Sequence, residues 1–192
     1  MRESPEVTLV ALASQTVGPF FHFALTANRQ LGVMAKDTAG GQRIQLSLRL
    51  LDGAGAPVAD GMFELWQADA AGRYRHPLDP ESANADAGLC GFGRLETDAA
   101  GMSVFETVRP GCIADGQSPH INVIVFSRGL LSHLFTRIYF EDDPGLDTDA
   151  ALSLVPEQRR STLIAHRVSG RDEAWAHDIH LQGPHETVFF DL

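Results

Sequence analysis

The chain has 192 residues, 44% of them hydrophobic and 21% charged, with 18 glycines and 10 prolines. That is enough apolar material for one domain with a full core and too much for a disordered chain, and no run approaches the roughly 18 to 20 apolar residues of a membrane span. Fifteen basic against 25 acidic residues give a net charge of −10, a field that disfavours general binding to nucleic acid or anionic membrane but still leaves room for a local basic spot.

Residues 1–43 read as an extended N-terminal arm followed by an irregular segment, and residues 44–192 as a β-sandwich, a single domain overall. Val7 to Ala13 is apolar and ends in Ala-Leu-Ala, but Arg2 is offset by Glu3 and Glu6, so no export signal is read and a cytoplasmic location is expected. The next segment, Ser14-Gln15-Thr16-Val17-Gly18-Pro19-Phe20-Phe21, combines a turn with small polar groups and aromatics. Ile44, Leu46, Leu48 and Leu50 alternate with Gln45, Ser47 and Arg49, the pattern of a half-buried strand. Further strands are expected at Met62 to Gln67, Arg94 to Thr97, Met102 to Val108, Ile121 to Phe126, Leu134 to Phe140, Leu163 to Val168 and Trp175 to Gln182. Turns at Asp69-Ala70-Ala71-Gly72 and Asp98-Ala99-Ala100-Gly101 punctuate them, and Leu78 to Gly93 reads as a long loop. Helix is expected to be scarce, with a short one opening at Pro156 to Arg160. About eight short strands with glycine- or proline-bearing turns imply a mostly β fold, an antiparallel sandwich. Cys90 and Cys112 lie in no CxxC pattern and read as buried, reduced thiols.

Several residues could carry chemistry. His120 and Asn122 stand at i and i+2, on one face of a strand, but a neutral amide is a weak metal donor. His120 therefore reads either as a ligand or as a hydrogen-bonded structural histidine. His177 and His180 fall on opposite strand faces and should not share a metal. Tyr74, within Gly72-Arg73-Tyr74-Arg75-His76, is either part of a solvated turn or an anionic oxygen donor suited to a hard ferric ion. Arg128, in Phe126-Ser127-Arg128-Gly129-Leu130, is either a solvated strand end or an anion-binding guanidinium.

These segments occur together and in order. Leu65-Trp66-Gln67-Ala68-Asp69 with Gly72-Arg73-Tyr74, Phe92-Gly93-Arg94 with Thr97-Asp98, Thr107-Val108-Arg109-Pro110-Gly111, Pro119-His120-Ile121 and Thr136-Arg137 with Tyr139-Phe140 resemble the intradiol ring-cleavage dioxygenases. The resemblance covers roughly residues 13 to 192. It implies a site in which two tyrosines and two histidines hold one Fe(III). Tyr74 matches the first tyrosine and His120 the first histidine, whereas Ile113 falls at the second tyrosine, Asn122 at the second histidine and Gln117 at an arginine that stabilises the bound catecholate. Tyr74 and His120 would then be remnants, and no metal or cofactor is expected in this chain itself. Ser14-Gln15-Thr16 with Gly18-Pro19, Phe126 with Arg128-Gly129, and Glu186-Thr187-Val188-Phe189-Phe190 resemble more narrowly the non-catalytic alpha chain of a two-chain family member. That implies a homologous Fe(III)-bearing beta chain as partner, in higher alpha-beta oligomers. Thr16, Gly18, Pro19 and Arg128 would then wall a site in the partner that opens protocatechuate with O2 to 3-carboxy-cis,cis-muconate. The exposed aromatics Phe20-Phe21 and Val188-Phe189-Phe190 are expected to face that partner. Two other readings remain at this point. One is a self-sufficient dioxygenase that recruits His76 or His133 as ligands; the other is a non-enzymatic β-sandwich binding module.

Overall fold

The fold comes from a computed structural model describing residues 11–113 and 116–191, with the backbone alone for Pro19 and His22. The Val7 to Ala13 stretch lies largely outside these residues. Alternation becomes strand as expected: β1 (Arg43–Leu51) turns Ile44, Leu46, Leu48 and Leu50 inward, where they are buried. β2 (Met62–Gln67), β3 (Phe92–Glu96), β4 (Met102–Val108), β5 (His120–Phe126), β6 (Leu134–Phe140), β7 (Ile164–Arg167) and β8 (Ala174–His180) follow, each within two residues of its expected ends.

The ladder runs β3-β2-β5-β6-β7-β8-β1-β4. Phe63, Leu65, Ile121, Val123 and Val125 from one half meet Leu46, Leu48, Phe105, Trp175 and Ile179 from the other in one buried cluster, which makes the sheet two facing layers. The pairing is mainly antiparallel, but β1 with β8 and β6 with β7 run parallel. The second of these needs a crossover, supplied by residues 141–163 with two one-turn helices, α2 (Ala150–Ser153) and α3 (Glu157–Arg160). The expected helix near Pro156 to Arg160 is α3. Within the arm the chain also forms a helix, α1 (Pro19–Thr26), which strand alternation did not announce. Its sequence is nearly all apolar and Gly18 supplies no side-chain cap, so Pro19 at the first helical position is the one start signal present, without a capping side chain or a polar stripe beside it.

Two expectations about exposure are corrected. Cys90 and Cys112 are free and exposed rather than buried, because both sit in loops beside the sheet. Val188, Phe189 and Phe190 are half-buried within the chain: Phe190 N–H bonds Phe135 O at 2.8 Å, and Val188 and Phe190 pack on the Tyr139, Leu152, Val155 and Leu163 cluster.

One corner of the sandwich is held by charge on aromatics. The Arg109 guanidinium lies 4.3 Å from the Phe140 ring centroid and 5.1 Å from that of Trp175, while pairing with Asp142 at 2.6 Å. Arg167 covers Trp175 at 4.6 Å and shares Asp142 at 2.5 Å. Arg109, part of the Arg-Pro-Gly motif, is thus a structural residue.

His177 and His180 do fall on opposite faces of β8, His177 inward. His177 donates Nδ1–H to Ile164 O at 3.1 Å, and its buried Nε2 meets no partner among the described residues. Burial pushes its pKa down to about 4, and burial does the same to His120. Both are neutral in the fold, whereas unfolded histidines protonate near 6.5. Their stabilisation is complete above pH 6.5 and is lost as pH falls toward 4, by up to about 3 kcal/mol each. Urea midpoints should therefore decline across that window, and His177→Gln should decline less steeply than the native chain.

Candidate functional site

The turn after β2 presents Tyr74. Asp69, buried at the end of β2, accepts N–H bonds from Ala71 (2.8 Å) and Arg73 (3.0 Å) on one carboxylate oxygen and from Asp86 (2.9 Å) on the other. Between them Gly72 adopts φ +78°, and a Cβ there would stand 1.9 Å from Cys112 O, so glycine is required twice over. The chain then returns over β2, where the Tyr74 ring stacks on Trp66 with centroids 5.8 Å apart and planes 7° from parallel. Burial raises the Tyr74 pKa, so the group remains a neutral phenol.

Register supplies the rest. Trp66 on β2 pairs with Asn122 on β5, which pairs with Arg137 on β6, and His120 pairs with Tyr139. His120, Asn122, Arg137 and Tyr139 therefore share the outer face of the β5–β6 pair. Asn122 donates from Nδ2 to Trp66 O and to Tyr74 Oη, each at 3.3 Å, and its Oδ1 accepts from Arg137 Nε at 3.1 Å. Arg137 Nη1 donates to Gln117 Oε1 at 3.1 Å. His120, 1% exposed, donates Nδ1–H to Ser118 O at 2.9 Å, so its Nε2 carries the lone pair. Asp149 fixes that approach by accepting Ser118 N–H at 2.8 Å and Tyr139 O–H at 3.0 Å. Ile113, half-buried, bridges backbone to Gln117 across a loop whose Ala114 and Asp115 lie outside the described residues.

The structure thus gathers Tyr74, His120, Asn122 and Gln117 and adds Arg137, which the sequence reading did not single out. The available signal was a lone arginine in an otherwise mostly apolar strand, in register with Asn122. This constellation does not fit a ferric ion. Ile113 has no lone pair, and Asn122 is a neutral amide already bonded to a phenol and a guanidinium. No group of three or more His, Cys, Asp or Glu side chains among the described residues could hold a metal. His133 cannot repair the set, because it packs on Phe126 and Phe135, at the far end of β5 from His120 by about 20 Å of strand. His76 stands edge-on to Trp66, and its Nδ1 accepts Leu78 N–H at 3.2 Å.

A second cluster lies at the other end of β5. Gly129 N–H donates to Thr16 Oγ1 at 2.7 Å, tying the arm to the loop that carries Arg128. Val17, Gly18, Phe21, Phe23, Met62, Phe126, Asp60 and Arg128 line an apolar cleft of about 240 Å³ there. Phe21 packs on Phe126 at 5.3 Å, while Phe20 and Phe23 project outward at 85% and 75% exposure. Arg128 forms an ion pair with Asp60, and both line the cleft. Gly18 contrasts with Gly72: its φ is −96° and a Cβ would meet no described atom within 4 Å. Pro19 opens the helix, its side chain outside the described residues.

The fold and these motifs define a ring-cleavage dioxygenase scaffold. The family described as Dioxygenase matches residues 16–183, and this chain belongs to it, among the intradiol ring-cleavage dioxygenases. It is 42% identical to the protocatechuate 3,4-dioxygenase alpha chain of Burkholderia cepacia, over 96% of this chain and 99% of that one, and 39% identical to the Pseudomonas putida alpha chain, over 93% and 95%. The Burkholderia cepacia beta chain is 40% identical over 65% of this chain and 56% of its own length. In fold alone, the chain superposes on the dioxygenase domain of a carbohydrate-binding fusion protein from Streptomyces sp. SirexAA-E (TM-score 0.62, 22% identity, covering 93% and 99%). It likewise superposes on 3-chlorocatechol 1,2-dioxygenase from Rhodococcus opacus 1CP (0.60, 23%, covering 77% and 63%).

The two glycines give opposite expectations. Gly72→Ala should destabilise the chain by about 1–3 kcal/mol through strain and the clash with Cys112 O. Gly18→Ala should stay within about 1 kcal/mol of native. Thermal or urea denaturation of the two variants side by side checks both.

Proposed function

We propose that this chain is the alpha, non-iron-bearing subunit of a protocatechuate 3,4-dioxygenase, and that it forms part of the wall of an active site whose Fe(III) belongs to a homologous beta subunit. The observation that carries this reading is the Thr16–Gly129 hydrogen bond, which ties the arm to the loop beside an exposed cleft lined by Gly18 and Arg128, while the chain's own donor set is broken. The alpha-chain relatives span essentially the whole length, and the beta-chain match supports a homologous partner.

In this reading the partner's iron supplies the oxygen chemistry that converts protocatechuate to 3-carboxy-cis,cis-muconate, a step of aromatic catabolism in the beta-ketoadipate pathway. This chain binds and orients. Protocatechuate is an anion, and a guanidinium at the cleft mouth attracts its carboxylate by direct bonding or by field. Asp60 holds Arg128 in one direction and tempers its charge, so a substrate carboxylate competes with Asp60 rather than with bulk water alone. Nothing described within the chain requires glycine at position 18, and in this reading its small size lets the backbone at Gly18 and Pro19 approach the partner's substrate without filling its pocket. Phe20 and Phe23, exposed beside the cleft, supply apolar area for the permanent partner. Among the described residues no helix is long and apolar enough to cross a membrane. A cytoplasmic alpha-beta oligomer fits this composition.

The test is co-expression with a homologous beta chain carrying both tyrosines and both histidines. Native complex should turn over protocatechuate. Arg128→Ala should raise KM for the carboxylated substrate about tenfold, the loss of one charge-assisted hydrogen bond, with the iron chromophore unaltered. Unchanged kinetics would reject the role of Arg128, and failure of the two chains to associate would reject the subunit assignment.

A further inference from the structure

The remnant pocket contains a cation of its own. Arg137 reaches from β6 across the outer face of the sheet, its Nε on Asn122 Oδ1 and its Nη1 on Gln117 Oε1, both at 3.1 Å. Those two side chains stand where the family places a metal-binding histidine and a substrate-stabilising arginine. Asn122 in turn donates to the Tyr74 hydroxyl at 3.3 Å, so the guanidinium is one residue removed from the surviving phenol. Its charge is felt by every surviving member of the site: it disfavours protonation of His120 and acts to lower the pKa values of Tyr74 and Tyr139 against the larger, opposite effect of burial. Asn122 and Gln117, which accept from Arg137, are neutral amides that leave its charge in place; the carboxylates that oppose its effect, Asp79 at Tyr74 and Asp149 at His120 and Tyr139, form no ion pair with it among the described residues, and a guanidinium cannot shed its proton inside a protein.

We propose that the Arg137 guanidinium stands in for the metal in this pocket, a permanent internal cation bonded to Asn122 and Gln117 that excludes iron independently of the missing donors.

Two physical effects follow. A trivalent ion brought among Tyr74, His120 and residue 122 would meet that positive charge, which Asp79 and Asp149 oppose from the loops without pairing with it, across a half-buried, poorly screened space. The guanidinium also orients the Asn122 amide, with Oδ1 toward Arg137 and Nδ2 toward Tyr74, so that Tyr74 Oη receives a hydrogen bond where it would otherwise present lone pairs to a metal. The pocket is therefore locked as well as incomplete. This inference concerns the isolated chain and is independent of the proposed wall role, which a beta partner and Arg128 decide.

The experiment restores the donors with and without the cation, in the full chain expressed alone. Ile113→Tyr/Asn122→His supplies both lost ligands. Adding Arg137→Met removes the charge at similar length, and adding Arg137→Lys keeps a charge without the planar fork. Ferric iron is offered, and the readouts are iron per chain and the visible tyrosinate-to-iron absorption, with circular dichroism reporting the fold. Expected is near-stoichiometric iron with Met at position 137 and at least tenfold less with Arg or Lys. Should position 113 not tolerate tyrosine, the milder pair Asn122→His and Asn122→His/Arg137→Met carries the same comparison, with uptake expected only in the second. Stoichiometric iron in a donor-restored chain that retains Arg137 overturns the proposal, as does equal iron binding with Arg and Met at position 137.

Discussion

Asn122 is held from both sides, its amide nitrogen giving a hydrogen bond to the Tyr74 phenol and its oxygen taking one from the Arg137 guanidinium. The rest of the candidate site hangs on this one side chain. It fixes which face of Tyr74 is satisfied, it gives Arg137 a reason to lie flat across β5, and it converts a cluster shaped for coordination into a closed hydrogen-bond network. Buried polar groups demand partners, and a network in which each member has one is stable only while every member stays. A neutral amide at this position, with two N–H donors and a carbonyl oxygen, serves the Trp66 carbonyl, the phenol and the cation at once.

The sheet makes the network possible. Trp66, Asn122 and Arg137 are neighbours only because β2, β5 and β6 pair in a register that puts all three across adjacent strands. Asp69 and Asp149 then act as fasteners on the two loops that feed the face, one holding the turn that carries Tyr74, the other the approach to His120. Each carboxylate accepts several backbone N–H groups that a buried loop would otherwise strand. The same sheet separates two regions along β5. The closed network sits at the His120 end and the open cleft with Arg128 at the Phe126 end.

That division bears on how a metal-binding scaffold behaves without two of its donors. A scaffold that gives up two donors retains a cavity, and a cavity that keeps a phenol and an imidazole invites adventitious metal. Filling it with a charge borne on a neighbouring strand removes the invitation without disturbing the core, because Ile121, Val123 and Ile138 on the opposite face still pack as before. The exposed arm, in contrast, carries a small residue that the packing of the described residues does not require. Gly18 shows this most directly: open space around it within the chain, and no conformational need for glycine.

The amino-acid sequence by itself determined the strands, since a period of two is a local property and inward residues such as Ile44 to Leu50 announce it. It also determined which donors are absent, because the chemistry of Ile113 and Asn122 is a matter of residue type alone. The arm helix at Pro19–Thr26 escaped notice, having neither a polar stripe nor a cap, and the half-burial of Val188 to Phe190 escaped because it depends on docking against β6. Only the tertiary structure decided that Arg137 joins the site. Fifteen residues separate it from Asn122, and nothing in the spacing says that β6 will lie beside β5 in the register that brings them together. The same holds for Thr16 and Gly129, 113 residues apart and joined by a hydrogen bond. Periodicity and donor chemistry are written along the chain, whereas a pairing across strands or between an arm and a loop exists only once the sheet has closed.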